Sequence, residues 1–243
     1  MGNEITYKPF GEQAILIEWQ SIIDDSILTD IISFKEKVRL ANTINIVDLV
    51  QSYTSLTIIY NHQIKNFKAE VALLKSIYET PLKIKKQAFY KWHIPVCYNT
   101  NFGLDLEEVA LKLNISVKEL VSLHSSVAYR VCFIGFLPGF FYLGGLPSQL
   151  HFNRKPIPRL LVPKGSVGIG GEQTGVYPTS SAGGWNIIGK TPIEFFNAEK
   201  NNPCFAKPGD FIEFNPISLT EYQKIEKQIA ADKYQITKTV QNA

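Results

Sequence analysis

The sequence is poor in cysteine and lacks long apolar runs. Its three cysteines, Cys97, Cys132 and Cys204, are far apart and form no C-x-x-C pair. An odd number at this spacing argues against both a disulfide framework and a zinc site. No run approaches the roughly 18 apolar residues of a membrane-spanning helix, and the N-terminus has no basic stretch followed by an apolar one. We therefore expect a cytoplasmic protein that is neither exported nor embedded in a membrane.

The chain also lacks an excess of charge of one sign. It has 25 basic and 22 acidic residues, for a formal net charge of +3. Such a balance gives no electrostatic reason to expect nucleic acid or an anionic membrane as partner. His62, His93 and His151 have no acidic or cysteine companions at metal-ligand spacing, so no metal site is predicted. The expected ligand is a small molecule or another protein.

Glycine and proline are scarce in the first part of the chain. Only two of 16 glycines and three of 13 prolines precede residue 100. Regular elements should therefore dominate the first part and tight turns the second. We predict a small α+β domain over residues 1–85 and a mainly-β domain over residues 86–243, the latter a β-barrel or sandwich.

Apolar periodicity predicts the elements of the first domain. Alternating or branched apolar runs indicate strands, and Asp or Asn before an apolar run with helical spacing indicates a helix N-terminus. An antiparallel sheet with helices on one face is the expected result. The predicted strands are Ala14–Trp19, Ile44–Val50 and Leu56–Tyr60, and the predicted helices begin at Asp24 or Asp25 and at Asn66.

Two short helices are predicted after residue 100. Asp105 with Glu108, and Ser116 with Glu119, have the spacing of a capping box. The pair could be a helix-turn-helix, but a DNA-reading helix needs basic and amide side chains facing the groove. The second helix offers only Lys118 before an apolar run. Two capped helices covering one end of the barrel explain the same residues.

The segment from Tyr129 to Pro192 carries the most specific pattern. It reads YRVCFIGFLPGFFYLGG and then PIPRLLVPKGSVGIGGEQTGVYPTSSAGGWNIIGKTP. These motifs resemble the family that includes the B subunit of 5-oxoprolinase, allophanate hydrolase subunit 1 and the Kip-type inhibitors of a sporulation histidine kinase. The matching pieces are Gly135–Phe140, Tyr142–Gly145, Pro158-Arg159, Val162-Pro163, Gly165–Val167, Gln173–Gly175, Tyr177-Pro178, and Gly183-Gly184-Trp185 through Thr191-Pro192.

The resemblance implies a cyclophilin-like barrel for the second domain and a hydrolase function. A 5-oxoprolinase opens the lactam of 5-oxoproline to L-glutamate with ATP, and magnesium is expected with the nucleotide. The glycine-rich turn after Lys164 is not a P-loop, because the G-x-x-x-x-G-K-[ST] motif leads into a helix, whereas here the lysine precedes the glycine and branched residues follow it. ATP is therefore expected partly on a partner subunit, in a hetero-oligomer with proteins like the A and C subunits of 5-oxoprolinase. The isolated chain is expected to be inactive.

The same resemblance leaves two other functions open. One is a regulatory protein that inhibits a sensor histidine kinase through its N-terminal domain. The other is subunit 1 of allophanate hydrolase. Surface changes within residues 1–80 should abolish kinase inhibition, whereas an enzyme subunit should be sensitive to changes at Arg159 or Gln173.

Several side chains in the matching segment suit an amide substrate with a carboxylate. Arg159 could hold the carboxylate in a bidentate fork, or it could form a surface ion pair. Gln173, Thr174 and Ser166 could orient the amide or stabilise an oxyanion, or they could stabilise turns. We assign Arg159 and Ser166 to substrate binding, and Gln173 and Thr174 to catalysis.

The remaining candidates are a histidine, two glycines and three aromatic residues. His124 could act as an acid or base near neutral pH, or it could simply favour a helix C-terminus. Glycine backbone at Gly170 and Gly171 could form an anion-binding nest, or tight barrel corners. Aromatic rings could wall a pocket or fill the core. His124 is predicted to be catalytic, and the predicted substrate-binding residues include Gly170, Gly171, Tyr142, Tyr177 and Trp185.

Overall fold

The computed structural model describes residues 5–41, 45–81 and 88–241. The chain divides into two compact units, Met1–Gln87 and Ala88–Ala243. The predicted domain boundary between residues 85 and 86 lies outside the described residues. Together the units give a mixed α and β architecture that contains one large multi-stranded sheet. No described helix is long and apolar enough to cross a membrane.

The first unit is a four-stranded antiparallel sheet with two helices. The strand order is β1-β2-β4-β3. Alternate residues of β4, Leu56, Ile58 and Tyr60, are buried, and they share one core with Ile31 and Phe34 of α1. This period-2 burial is the pattern of a sheet with one covered face. The elements are β1 (Thr6–Pro9), β2 (Ala14–Glu18), α1 (Asp25–Leu40), β3 (Ile46–Gln51), β4 (Ser55–Tyr60) and α2 (Phe67–Glu79).

Three of the four predicted helix caps are confirmed. The Asp24 carboxylate accepts from the Ser26 N–H at 2.7 Å, and the Asn66 side chain accepts from the Ala69 N–H at 3.1 Å. Ser116 likewise accepts from a backbone N–H, that of the third helical residue, at 3.1 Å. The predicted cap at Asp105 is wrong, because its side chain makes no hydrogen bond to the helix N-terminus. Its carboxylate is bonded elsewhere in the unit.

The described part of the second unit is built on an eight-stranded sheet with three α-helices and one short 3-10 helix, Ser148–Leu150. The strand order is β12-β9-β10-β7-β6-β13-β5-β14, and β5 and β13 run parallel. A separate two-stranded ribbon pairs β8 with β11. The elements are β5 (Phe89–Val96), α3 (Leu106–Lys112), α4 (Val117–Ser125), β6 (Ala128–Ile134), β7 (Phe141–Gly144), β8 (Arg159–Val162), β9 (Ser166–Gly170), β10 (Gln173–Val176), β11 (Ser181–Gly183), β12 (Asn186–Lys190), β13 (Phe211–Pro216), α5 (Leu219–Ala230) and β14 (Lys238–Gln241).

The predicted closed, cyclophilin-like barrel is not confirmed. Strands β12 and β14 end the ladder among the described strands, and a single isolated bridge, Cys97 to Lys190, links β12 to the chain after β5. Helix α5 was also missed, although its start carries a complete capping box between Ser218 and Glu221. The S-x-x-E spacing of Ser218 and Glu221 is a sequence signal for this helix, which the mainly-β prediction for residues 86–243 does not include.

The sheet of the second unit has two differently packed faces. Val167 and Ile169 of β9 point into the main core, which contains more than twenty buried side chains. Intervening glycines face the other way, towards a smaller aromatic cluster that includes Phe140, Tyr177 and Trp185. A Cβ at Gly170 would lie 2.5 Å from the Trp185 ring. Glycine at this position therefore allows a tryptophan to lie flat against the strand.

Candidate ligand-binding cavity

A cavity opens beside this aromatic cluster. Its volume is ≈ 330 Å³, which is at the lower end of the usual range for ligand sites. Five of its eleven lining residues are aromatic, two are cationic and none is a carboxylate. The lining residues are Phe136, Phe140, Tyr142, Arg154, Lys155, Pro158, Tyr177, Ala182, Gly183, Gly184 and Trp185.

The aromatic rings are held by one another and by close backbone approach. Phe140 makes edge contacts with Tyr177 and Trp185, with ring centroids 5.4 Å apart in both pairs. Gly183 lies against the Tyr177 hydroxyl, where any Cβ would overlap it. Burial raises the pKa of Tyr142 and of Tyr177, so both hydroxyls stay protonated at neutral pH. The cavity thus has a stiff apolar wall with phenol groups on it.

Arg154 gives the cavity an available positive charge. Its guanidinium carbon lies 5.6 Å from the centroid of the Trp185 ring, a cation–π arrangement. Among the described residues, no carboxylate lies within ion-pair distance of this guanidinium. An exposed guanidinium that is held over an aromatic face and has no carboxylate partner in the described part of the chain suits a planar anion.

Unlike Arg154, the buried carboxylate of Asp105, next to the cavity, is paired with charged side chains. Asp105 is 1% exposed and accepts from both terminal nitrogens of Arg159, at 2.9 and 2.6 Å. Lys155 Nζ lies 2.7 Å from the same carboxylate, and the Ile187 N–H donates to it at 2.7 Å. Burial raises the pKa of Asp105, but these three donors outweigh that effect and hold the pKa below its usual value.

The ion pairs around Asp105 fix the positions of Arg159 and of Lys155. The guanidinium fork of Arg159, predicted to bind substrate, is occupied by Asp105, and Arg159 is not among the cavity-lining residues. Lys155 does line the cavity, but its charge is compensated by Asp105 and Glu108. Arg154 is therefore the cavity-lining cation without a carboxylate partner among the described residues.

His124 lies in the main core and is fully buried. The Tyr98 hydroxyl lies 2.7 Å from Nδ1, Nε2 lies 2.8 Å from Thr174 Oγ1, and Thr174 donates to the Gly168 carbonyl at 3.0 Å. Since a carbonyl only accepts, Thr174 accepts from Nε2–H and Tyr98 donates to Nδ1. Burial lowers the pKa of His124 to about 3, so the ring is neutral near pH 7.

The other predicted residues are spread over several environments. Ser166 and Thr174 are buried in strands of the sheet, and Gly171 sits at a positive-φ turn (φ 68°) bonded to Phe152. The Gln173 side-chain oxygen is buried with no hydrogen-bond partner among the described residues. Gly170 lies against the Trp185 ring. None of these five residues lines the cavity.

The structure therefore brings three predicted residues together at the cavity: Tyr142, Tyr177 and Trp185. The predicted roles of the others, His124 included, stay predictions. Sequence reasoning missed Phe136, Phe140, Arg154 and Lys155. The two phenylalanines lie within the Gly-Phe-Leu-Pro-Gly-Phe motif, which could have identified them, whereas Arg154 and Lys155 precede a proline-rich segment without a distinguishing pattern.

The family model that matches this chain describes the carboxyltransferase domain, subdomain C and D, and it covers residues 5–206. The match runs through both units and includes every lining residue of the cavity. The sequence-based assignment to the family of the 5-oxoprolinase B subunit is confirmed by this match and by curated relatives.

Two curated relatives are named as the B subunit of 5-oxoprolinase. The protein of Escherichia coli is 38% identical over 85% of this chain and 93% of its own length. The protein of Bacillus subtilis is 45% identical over 56% of each chain. Among solved structures, TTHA0988 has a TM-score of 0.73 at 29% identity, over 85% of this chain. This chain spans 40% of the length of TTHA0988.

Proposed function

Because this chain belongs to the family of the carboxyltransferase domain, subdomain C and D, that includes the 5-oxoprolinase B subunit, we propose that it has that role in an ATP-dependent 5-oxoprolinase. The enzyme would hydrolyse the lactam of 5-oxoproline to L-glutamate. Identities of 38–45% to relatives of that name support the proposal. At the level of the site, one observation supports the proposal: the aromatic cavity contains the uncompensated charge of Arg154.

The cavity matches the substrate in size, shape and charge. 5-Oxoproline is a small five-membered lactam with one carboxylate. Arg154 can take the carboxylate in a bidentate fork, while the edge of Trp185 and the ring of Tyr142 contact the lactam. The wall presents no carboxylate that would repel the anion. The substrate is thus oriented by its carboxylate, with its lactam against the aromatic wall.

Orientation and partial exclusion of water are the contributions of this chain's residues. A lactam is a resonance-stabilised amide, so water alone attacks it slowly. Phosphorylation of the amide oxygen by ATP would weaken that resonance. Holding the ring in one pose lowers the entropic part of the barrier, and apolar walls strengthen the interactions made inside.

We propose that ATP and its magnesium ion bind on a partner subunit. Residues 184–191 match the string G-x-x-x-x-G-K-[ST], but Asn186–Lys190 form strand β12 and do not lead into a helix, so this segment is not a P-loop. The described residues contain no group of three or more acidic, cysteine or histidine residues that could hold a metal ion. The residues present therefore do not fit the nucleotide and its metal. Proteins like the A and C subunits of 5-oxoprolinase would supply them, and the isolated chain would be inactive.

The test measures ATP-dependent glutamate formation from 5-oxoproline, with this chain alone and with its partner subunits. Arg154→Gln, Arg159→Gln and the surface control Arg39→Gln are compared in the complete mixture. We expect activity only in the complete mixture. Arg154→Gln should raise KM by about 10- to 100-fold, as for loss of a charged hydrogen-bond pair.

Arg159→Gln should act differently, because its fork holds Asp105. We expect reduced stability of this variant, and a KM near that of wild type in the fraction that folds. The converse result, a raised KM for Arg159→Gln and none for Arg154→Gln, would restore Arg159 as the carboxylate-binding residue. A verified complete complex that forms no glutamate contradicts the proposed function, and allophanate hydrolysis and kinase inhibition would then be assayed.

A further inference from the structure

Phe136 occupies an unusual backbone conformation at the mouth of the cavity. Its φ is 64°, in the left-handed region that bulky side chains rarely adopt. The Leu137 N–H donates to the Gly135 carbonyl at 2.8 Å, which closes a three-residue turn around it. A γ-turn with positive φ at its centre is the rarer and more strained form. A glycine would adopt this backbone at lower cost.

The side chain of Phe136 is not explained by packing. It is 62% exposed, although it is a large apolar ring, and it lines the cavity. Its contact within the wall is an edge contact with Phe140, at 5.6 Å between centroids. The backbone strain is unfavourable for folding, and the ring, being exposed, gains little burial that would offset it. Such a combination next to a cavity indicates a role in binding.

We propose that Phe136 is a substrate-contact residue that covers the cavity mouth and packs its ring against the planar face of a small cyclic amide. The inference rests on the proposed function for the identity of that amide, 5-oxoproline. With Trp185 and Tyr142 in the wall, Phe136 places an aromatic ring on the solvent side of the bound lactam. The strained turn holds the ring there before the ligand arrives, so little rotational freedom is lost on binding.

This arrangement also distinguishes substrate from product. The lactam ring is compact and nearly planar and carries one carboxylate, whereas glutamate is an open flexible chain with two carboxylates and an ammonium group. An aromatic face gains contact with the flat ring and loses it when the ring opens. Arg154 offers one uncompensated cation, which suits one carboxylate. Phe136 therefore favours release of glutamate.

The test compares Phe136→Gly with Phe136→Tyr and with Asn114→Gly in the complete complex. Asn114 is a matched control, since it also has a positive φ, of 56°, and does not line the cavity. Phe136→Gly removes the ring and the strain together. We expect its thermal midpoint to equal or exceed that of wild type, while KM for 5-oxoproline rises about tenfold. Phe136→Tyr should keep the wild-type KM, and Asn114→Gly should leave KM unchanged.

A second readout does not depend on the substrate. Iodide quenching of Trp185 fluorescence, isolated by subtracting the signal of Trp185→Phe, reports access to the cavity. We expect quenching to increase in Phe136→Gly and to stay at the wild-type level in Asn114→Gly. Unchanged KM and unchanged quenching in Phe136→Gly would overturn the proposal.

The two readouts separate failure of this inference from failure of the proposed function. A wild-type complex that does not turn over 5-oxoproline refutes the proposed function and the lactam contact with it. Increased quenching in Phe136→Gly would then still support the cover over the mouth. Normal turnover by wild type with an unaltered KM in Phe136→Gly refutes the contact alone.

Discussion

Two groups of polar side chains lie in the second unit, and they differ in how completely their hydrogen bonds are used. Around His124 and Asp105, each ring nitrogen and each carboxylate oxygen has a partner at 2.6–2.9 Å. At the cavity, Arg154 lies over the Trp185 ring and has no carboxylate partner within the described ranges. Groups whose hydrogen bonds are all made within the protein stabilise the fold and have little capacity to bind a ligand. Arg154, without a carboxylate partner among the described residues, keeps that capacity.

Burial explains why the two groups differ. An uncompensated charge or donor costs most when it is removed from water. Asp105 and His124 are 1% and 0% exposed, so their environment supplies every partner or removes the charge. Arg154 is exposed, so a charge without a carboxylate partner costs little there. Substitutions at Asp105 or His124 should therefore cause large losses of stability, whereas substitutions at Arg154 should weaken ligand binding.

The largest expected effect is at Asp105. Asp105→Ala would leave Lys155 and Arg159 close together without the carboxylate, and the Ile187 N–H without its acceptor. Removing one partner of a buried ion pair costs about 3–5 kcal/mol, and because both cations are partly exposed we expect the lower end. Urea denaturation measures the free energy of unfolding. Glu108→Ala, an exposed partner of the same Lys155, should cost less than ~1 kcal/mol, and equal losses for both variants would contradict the comparison.

His124 should give the next largest effect. His124→Leu keeps an apolar side chain in the core but leaves the Tyr98 hydroxyl and Thr174 without their shared partner. Each unsatisfied buried group costs about 1–3 kcal/mol, and because the Tyr98 bond is only partly buried we expect a loss of roughly 2–3 kcal/mol in urea denaturation. His62→Leu, at an exposed histidine bonded to Asn61, is the control and should change stability little. A stable His124→Leu complex that had lost activity would instead support the predicted catalytic role of His124.

The same histidine predicts a pH dependence. The folded pKa is about 3, against roughly 6.5 in the unfolded chain. Between these values the unfolded state binds a proton that the folded state does not, so stability falls as pH falls from about 6.5 towards 3. His124 alone contributes a slope of about 1.4 kcal/mol per pH unit in that window. The free energy of unfolding of His124→Gln should change with pH less steeply than that of wild type, by about this amount. An identical slope for both proteins would show that His124 is protonated in the folded state.

Local signals in the sequence predicted much of the fold, because they act over a few residues. The caps at Asp24, Asn66 and Ser116 followed from side-chain chemistry next to the helix N-terminus. The sequence predicts a fourth cap at Asp105, but its carboxylate instead accepts a bidentate hydrogen bond from Arg159, 54 positions away. Long-range pairing of this kind leaves no local pattern.

The candidate site was predictable only in part for the same reason. Tyr142, Tyr177 and Trp185 lie in the distinctive motifs, and the structure places all three at one cavity. Arg159 and Arg154 are both arginines in a proline-rich segment, and nothing in the sequence shows which one faces a buried aspartate. Only the fold distinguishes an arginine whose donors are occupied from one whose donors are free.

Two adjacent glycines of the cavity wall give the smallest and most selective effect. A methyl group at Gly183 would overlap the Tyr177 hydroxyl, whereas one at Gly184 would sit at ordinary contact, 3.6 Å from the Lys155 carbonyl and 3.7 Å from Pro158. Gly183→Ala should therefore displace Tyr177 and cost about 1–3 kcal/mol. Gly184→Ala should stay within ~0.5 kcal/mol of wild type.

Despite its small effect on stability, Gly184→Ala adds a methyl group to a residue that lines the cavity. Because the cavity is only ≈ 330 Å³, we expect KM for 5-oxoproline in the complete complex to rise several-fold, as for one misplaced methylene in a pocket. Thermal denaturation and substrate titration of the same preparation separate the two quantities. If Gly184→Ala kept both its stability and its KM, the substrate would bind away from this wall, and the unsatisfied charge of Arg154 would have to serve another ligand.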